Sequence, residues 1–225
     1  MTEPVTIYDN RFEVYAKLKS IICDGDVLYR GSDARGAFGF PFMRFVSKLT
    51  QSEYTHAAIA RVKNGEVFVA EATDTGTMLY RFIDWYQFTL GGKFCIASLD
   101  FRQVGLRAQS DVDLFQARLA AVIDWYLEQD RNYNFRFQLK TNEVYCTQMI
   151  CEIYEALDFK ICEPQVIKEI VGWHKYILIK AGNALFTTAT HGAQSLPMKT
   201  PMYYVGNKTN GGMLSSPIMR LKYES

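Results

Sequence analysis

Residues 54–73 read YTHAAIARVKNGEVFVAEAT, two alternating runs joined by Asn64-Gly65. Alternation of this kind suits strands. An Asn-Gly pair between two such runs is the strongest short-range signal for a type I′ hairpin, because both central residues need positive φ. With Asn64 and Gly65 at the turn, Lys63 faces Glu66 and, counting outward, His56 faces Thr73. Side chains alternate between sheet faces, so Glu71 shares a face with His56 and lies diagonally from it, roughly 7–8 Å away between backbones. An imidazole and a carboxylate can meet across that gap, provided no bulge slips the register by one residue. Glu71 interrupts the otherwise apolar run from Phe68 to Ala72, and a carboxylate on a buried strand needs a partner. A carboxylate bonded to one ring nitrogen fixes the imidazole tautomer and leaves the other nitrogen free to take a proton. On these residues alone, His56 stands open between a structural histidine and a general base.

A nucleophile for such a base has to come from elsewhere, and Cys146 is the cysteine best placed by its local sequence. It directly precedes a helical run near 147–157, with Met149, Ile150, Ile153, Tyr154 and Leu157 on the apolar side. Unpaired amides and the dipole at a helix N-terminus favour a thiolate, and the same amides can bind an oxyanion. The local sequence equally allows an inert packing thiol. Tyr54, with the strand parity of His56, and Gln148, within the first helical turn, are further candidates to donate to an oxyanion or substrate; core packing competes for Tyr54.

Working outward, Phe12, Tyr15, Leu18 and Ile22 have helical spacing within 8–22, and Asp24-Gly25 ends the run. Residues 26–30 and 93–99 read as strands, 42–49 as a short helix, and 111–129 as an amphipathic helix. The stretches 31–53, 74–92 and 130–145 read as loops that would carry specificity. Beyond about residue 182 the chain turns rich in Gly, Asn, Ser, Thr and Pro, with strand-like islands at 202–205 and 218–223. The expected division is a catalytic domain over 1–181 and an extended arm over 182–225. That arm carries Tyr203, Tyr204 and Tyr223 and would pack on the domain, on a partner or on a second copy.

A chain of 225 residues with 48% hydrophobic content can bury one large core. Its formal net charge of +1 supplies no field to hold a polyanion, so nucleic acid is a poor partner. The opening residues lack the pattern of a secretory signal, and no run is long and apolar enough to span a membrane. A cytoplasmic chain with its five cysteines reduced is therefore expected. His56, His174 and His191 are scattered, and the cysteines form no Cys-x-x-Cys pair, so neither a metal nor another cofactor is expected.

Gly25-Asp26-Val27-Leu28-Tyr29-Arg30, Tyr54-Thr55-His56, Glu71-Ala72, Tyr133-Asn134 near Phe137, and Tyr145-Cys146-Thr147-Gln148 occur in that order. Together they resemble the circularly permuted papain-like amidases of the YiiX/YaeF type, relatives of the NlpC-type cell-wall peptidases. The resemblance covers roughly residues 25–157. It implies an α+β fold in which an antiparallel, barrel-like sheet bearing His56 and Glu71 packs on the helix begun by Cys146. It further implies a cysteine hydrolase, an amidase or peptidase, acting through a thioester with Cys146 as nucleophile, His56 as base and Glu71 as orienting carboxylate. The substrate would be peptide-like or an acylated small molecule. The family's usual Ser-Glu after the nucleophile is Thr147-Gln148 here, and the C-terminal arm has no family counterpart. Two other readings compete: a lipid-directed acyltransferase or lipase of the lecithin:retinol acyltransferase kind, and a catalytically silent scaffold on the same fold.

Overall fold

The computed structural model describes residues 11–31, 54–86, 93–99, 101, 105–161, 163–168, 176–177, 179–181, 183–184, 187–188 and 219–221. In chain order the elements are α1 (Arg11–Lys19), β1 (Val27–Gly31), β2 (His56–Lys63), β3 (Glu66–Thr73), β4 (Gly76–Arg81), α2 (Phe82–Tyr86), β5 (Lys93–Ala97), α3 (Gln109–Glu128), α4 (Cys146–Glu155) and β6 (Met219–Leu221). The strands form one antiparallel sheet in the order β4-β3-β2-β1-β5-β6.

The hairpin supplies β2 and β3, both interior strands of this sheet. Asn64 and Gly65 adopt φ of 52° and 74°, the left-handed pair that a type I′ turn requires. Lys63 pairs with Glu66, and the ladder continues in the expected register to Ile59 opposite Ala70. Alternation then divides the buried side chains between two cores. Ala57, Ile59, Ala70 and Ala72 pack with Phe115, Leu119 and Ile123 of α3 and with Met149, Ile150 and Ile153 of α4. Ala58, Ala60, Val67 and Val69 face the other way, against Leu18, Phe82, Trp85, Tyr86 and Phe94. A sheet covered by helices on both faces has no polar side to spare, which explains why both strands are so rich in alanine and valine. Arg61, near the exposed end of β2, ties the sheet to α3 through Asp124 at 2.7 Å and to Asp24 at 3.1 Å.

One stretch departs from the sequence reading. Residues 74–92 read as a loop, yet they contain β4 and α2. The turn at Asp74-Thr75 hides a second hairpin, in which Thr73 pairs with Gly76. The alternation of GTMLYR is faint because β4 is only partly buried. At the C-terminus, β6 lies within the 218–223 island and pairs with β5. The strand at 202–205 and the short helix at 42–49 fall outside the described residues.

Gly25 fixes how α3 meets the sheet. Its φ is +87°, and a Cβ there would lie 2.0 Å from Leu119 Cδ2. Tyr154 of α4 donates a 2.6 Å hydrogen bond to the Gly25 carbonyl, so both helices close on this residue. Next to it, Asp26 accepts from the Cys23 amide at 2.9 Å and from Ser98 at 2.5 Å, joining the start of β1 to the end of β5. Gly25→Ala combines a left-handed backbone with an overpacked contact. It is expected to cost about 3 kcal/mol, a fall in Tm of roughly 6–12 °C by thermal denaturation.

Candidate active site

Helix α4 begins at Cys146, preceded by Tyr145 in extended conformation (φ −113°, ψ 166°) with no side-chain cap. The amides of the first turn therefore have no intrahelical acceptor and converge on whatever lies at the helix mouth. The thiol of Cys146 is there, only 6% exposed, with the backbone N–H groups of Ala57 and Thr147 directed at it. Because α4 packs across β2 and β3, its mouth lies beside the start of β2, where His56 stands.

The β2–β3 ladder ends at Ile59 opposite Ala70, so the expected pairing of His56 with Thr73 is not part of it; Glu71 is the next residue on β3, and His56 stands three residues before Ile59 at the start of β2. Their side chains meet, with Nε2 of His56 2.5 Å from Oε2 of Glu71. Strand parity places both on the face shared with Trp85, whereas Cys146 arrives on the helix from the opposite face. The first residue of β2 is the place where these two faces communicate, and there the His56 imidazole hydrogen-bonds the Cys146 thiol. Since Nε2 is taken by Glu71, Nδ1 is the nitrogen left for sulphur.

The same carboxylate oxygen of Glu71 accepts from Trp85 Nε1 at 2.7 Å and faces Nη2 of Arg30 at 3.4 Å. Burial alone would push the Glu71 carboxyl up, but the His56 charge and hydrogen bond, then Arg30 and Trp85, bring it below the usual carboxylate range. Burial works against a charged imidazole as well, yet the carboxylate of Glu71 overcomes this and raises His56 to about 9. For Cys146, burial pushes the thiol up, while the His56 charge, its hydrogen bond and the two backbone amides outweigh it and bring the thiol below its ordinary value. All three shifts favour one state, a thiolate beside an imidazolium beside a carboxylate.

Two residues that the sequence reading left without a role also belong to this site. Trp85 fell in the supposed 74–92 loop, and no signal short of recognising the β3–β4 hairpin would have placed its indole on Glu71. Tyr133 was noted only as part of a motif. It is buried, and its hydroxyl hydrogen-bonds the Cys146 sulphur. Its segment is held by a β-bridge from Tyr133 to Val144 and by Arg131. The Arg131 guanidinium bonds Glu152 of α4 and the Tyr126 hydroxyl of α3, each at 2.6 Å, and the carbonyls of Thr141, Asn142 and Glu143. The stretch 130–145 is therefore fastened to both helices.

Of the other two candidates, Tyr54 is half-buried with its ring 5.8 Å from that of Tyr29, just outside β2. Gln148 is fully buried, and its amide nitrogen donates to Glu152 at 2.7 Å, one helical turn onward. His174 and His191 lie outside the described residues. Among the described residues, no group of three or more His, Cys, Asp or Glu side chains has an arrangement that could hold a metal ion, and no helix is long and apolar enough to cross a membrane.

A solved structure described as the metalloprotein yiiX from Escherichia coli O157:H7 has the same fold. It aligns with a TM-score of 0.66 at 20% sequence identity, covering 90% of this chain and 98% of that one. No curated protein matches the sequence. The family model described as "permuted papain-like amidase enzyme, YaeF/YiiX, C92 family" matches residues 23–176, a span that begins before β1, ends beyond α4 and contains Arg30, His56, Glu71, Trp85, Tyr133 and Cys146. The chain belongs to this family of permuted papain-like amidases.

Proposed function

We propose that the chain is a cysteine hydrolase that cleaves an amide or related acyl bond through a thioester on Cys146. The observation that carries this reading is the position of His56, whose ring stands between the Glu71 carboxylate at 2.5 Å and the Cys146 thiol. In the resting site the thiol proton resides on Nδ1 of His56. The thiolate adds to the substrate carbonyl carbon, and the oxygen that gains the electron pair sits at the mouth of α4. The backbone N–H of Cys146 and the Tyr133 hydroxyl beside the sulphur are the donors suited to it. His56 then delivers its proton to the leaving nitrogen as the C–N bond breaks, and the thioester remains. Water, deprotonated by the now neutral His56, attacks the thioester, the carboxylic acid departs and the thiolate is restored.

The substrate class we favour is a peptide-like amide, because a buried imidazolium is suited to protonating an amine leaving group. The test is intact-protein mass spectrometry after brief exposure to a panel of activated peptide esters and fatty-acyl thioesters, followed by acid quench. A peptidyl adduct mapped to Cys146 supports the amidase. An adduct formed only by the fatty-acyl donors would support the acyltransferase reading, and adducts spread equally over the cysteines would remove both.

A further inference from the structure

Arg30 is the cross-strand partner of His56 in the β1–β2 ladder, so the two side chains leave the sheet on the same face, side by side. Its guanidinium lies over the Trp85 ring, 4.8 Å from the centroid, and approaches the Glu71 oxygen that His56 and Trp85 also use. Nη1 is buried and has no hydrogen-bond partner among the described residues. An arginine buried with a donor unused is expensive, and as a stability element alone an apolar side chain of similar size would serve as well or better.

The charges of the site suggest what Arg30 contributes. Thiolate, imidazolium and carboxylate together carry one negative charge in excess, and the Arg30 guanidinium cancels it. That balance persists when the substrate oxygen takes over the negative charge from sulphur. It also persists when the proton leaves His56 for the departing amine, since Arg30 and Glu71 then neutralise each other. Without Arg30, an undivided carboxylate would hold the imidazolium so firmly that giving up its proton would become the difficult step.

We propose that Arg30 is a positioning residue of the active site: it shares Glu71 with His56, and as a neighbouring cation it keeps the imidazolium acidic enough to protonate the leaving group. This rests on the triad assigned above. The charged and titratable groups facing His56 are Glu71 from β3, Arg30 from β1, and Cys146 from α4. Tyr133 faces Cys146 from the fastened segment, and Tyr80 of β4 faces Arg30 from behind. Burial is the largest influence on His56, Glu71 then favours its charged form, and Arg30 opposes it.

The experiment is an NMR titration of the imidazole nitrogens in the full-length protein labelled with ¹⁵N-histidine, with the resonance of His56 assigned by its loss in His56→Gln. The wild-type midpoint is expected at about 9. In Arg30→Gln it should move to higher pH by about one unit, and in Arg30→Lys, which keeps the charge, it should stay near the wild-type value. Should Arg30→Gln fail to fold because the Glu71 carboxylate is left undercompensated, the comparison moves to Glu71→Gln against the Arg30→Gln/Glu71→Gln double variant. The double variant must then titrate at the higher pH. An unchanged midpoint on loss of the Arg30 charge, with only the melting temperature lowered, would overturn the proposal and leave Arg30 a structural counter-ion. A wild-type His56 that titrates near the ordinary histidine value would instead remove the triad itself, so the two failures are distinguishable.

Discussion

Cys146→Ala is expected to lower kcat/KM for any substrate of the enzyme by about 10⁴-fold or more, because every covalent step passes through this sulphur. The loss should not come from unfolding. Alanine removes one buried sulphur at the first residue of α4, where the packing of Met149, Ile150 and Ile153 on the sheet is untouched. A melting temperature within a few degrees of wild type therefore accompanies the loss. Cys146→Ser should be nearly as inactive. A serine hydroxyl beside an imidazole does not ionise in the resting state as the thiol does, and this site favours a preformed anion. Steady-state assays with the esters that acylate the wild type check both variants, and activity retained in Cys146→Ala would place the chemistry elsewhere.

Glu71→Gln should have the next largest effect, a fall of about 10²–10⁴-fold in kcat/KM. The amide still fills the space between His56, Trp85 and Arg30, but it removes the charge that favours an imidazolium. Two consequences separate this from simple damage. The substitution leaves the Arg30 cation buried without its carboxylate, so stability should drop by about 3 kcal/mol, readable in urea denaturation. Alkylation of Cys146 by iodoacetamide at neutral pH should also slow, because the histidine no longer retains the thiol proton. A variant that is destabilised but alkylated at the wild-type rate would assign Glu71 to the fold alone.

The hairpin made the fold legible in the sequence because it contains its own ruler. Asn64-Gly65 fixes the register, register fixes parity, and parity is enough to pair His56 with Glu71 before any coordinates are known. The start of α4 at Cys146 was also readable from the amphipathic run that follows it, but that local pattern left a nucleophile and an inert packing thiol equally open, and it is His56 arriving from β2 that separates them. What stayed hidden depends on contacts between segments that are distant in the chain. Arg30 was visible as the end of a strand and of a family motif but had no role, because nothing local states that β1 pairs with β2 rather than with another strand. Trp85 was lost with the 74–92 stretch, whose half-exposed β4 does not alternate clearly. Tyr133 reaches Cys146 through a loop whose shape is set by Arg131 and its bonds to two helices and three carbonyls, and no periodicity encodes such a clamp. Gln148, close to the nucleophile in sequence, has its amide nitrogen donating to Glu152 one helical turn onward, a contact that sequence proximity does not encode.

The pH dependence of Cys146 alkylation, followed by peptide mass spectrometry in the wild type and in His56→Ala, probes the reactive pair directly. A thiolate held by an imidazolium predicts a wild-type labelling midpoint below the ordinary thiol midpoint of about 8.5, with the midpoint in His56→Ala shifted upward past it. Identical curves for the two proteins, both rising only above that ordinary value, would mean that His56 does not ionise Cys146 and would contradict the account.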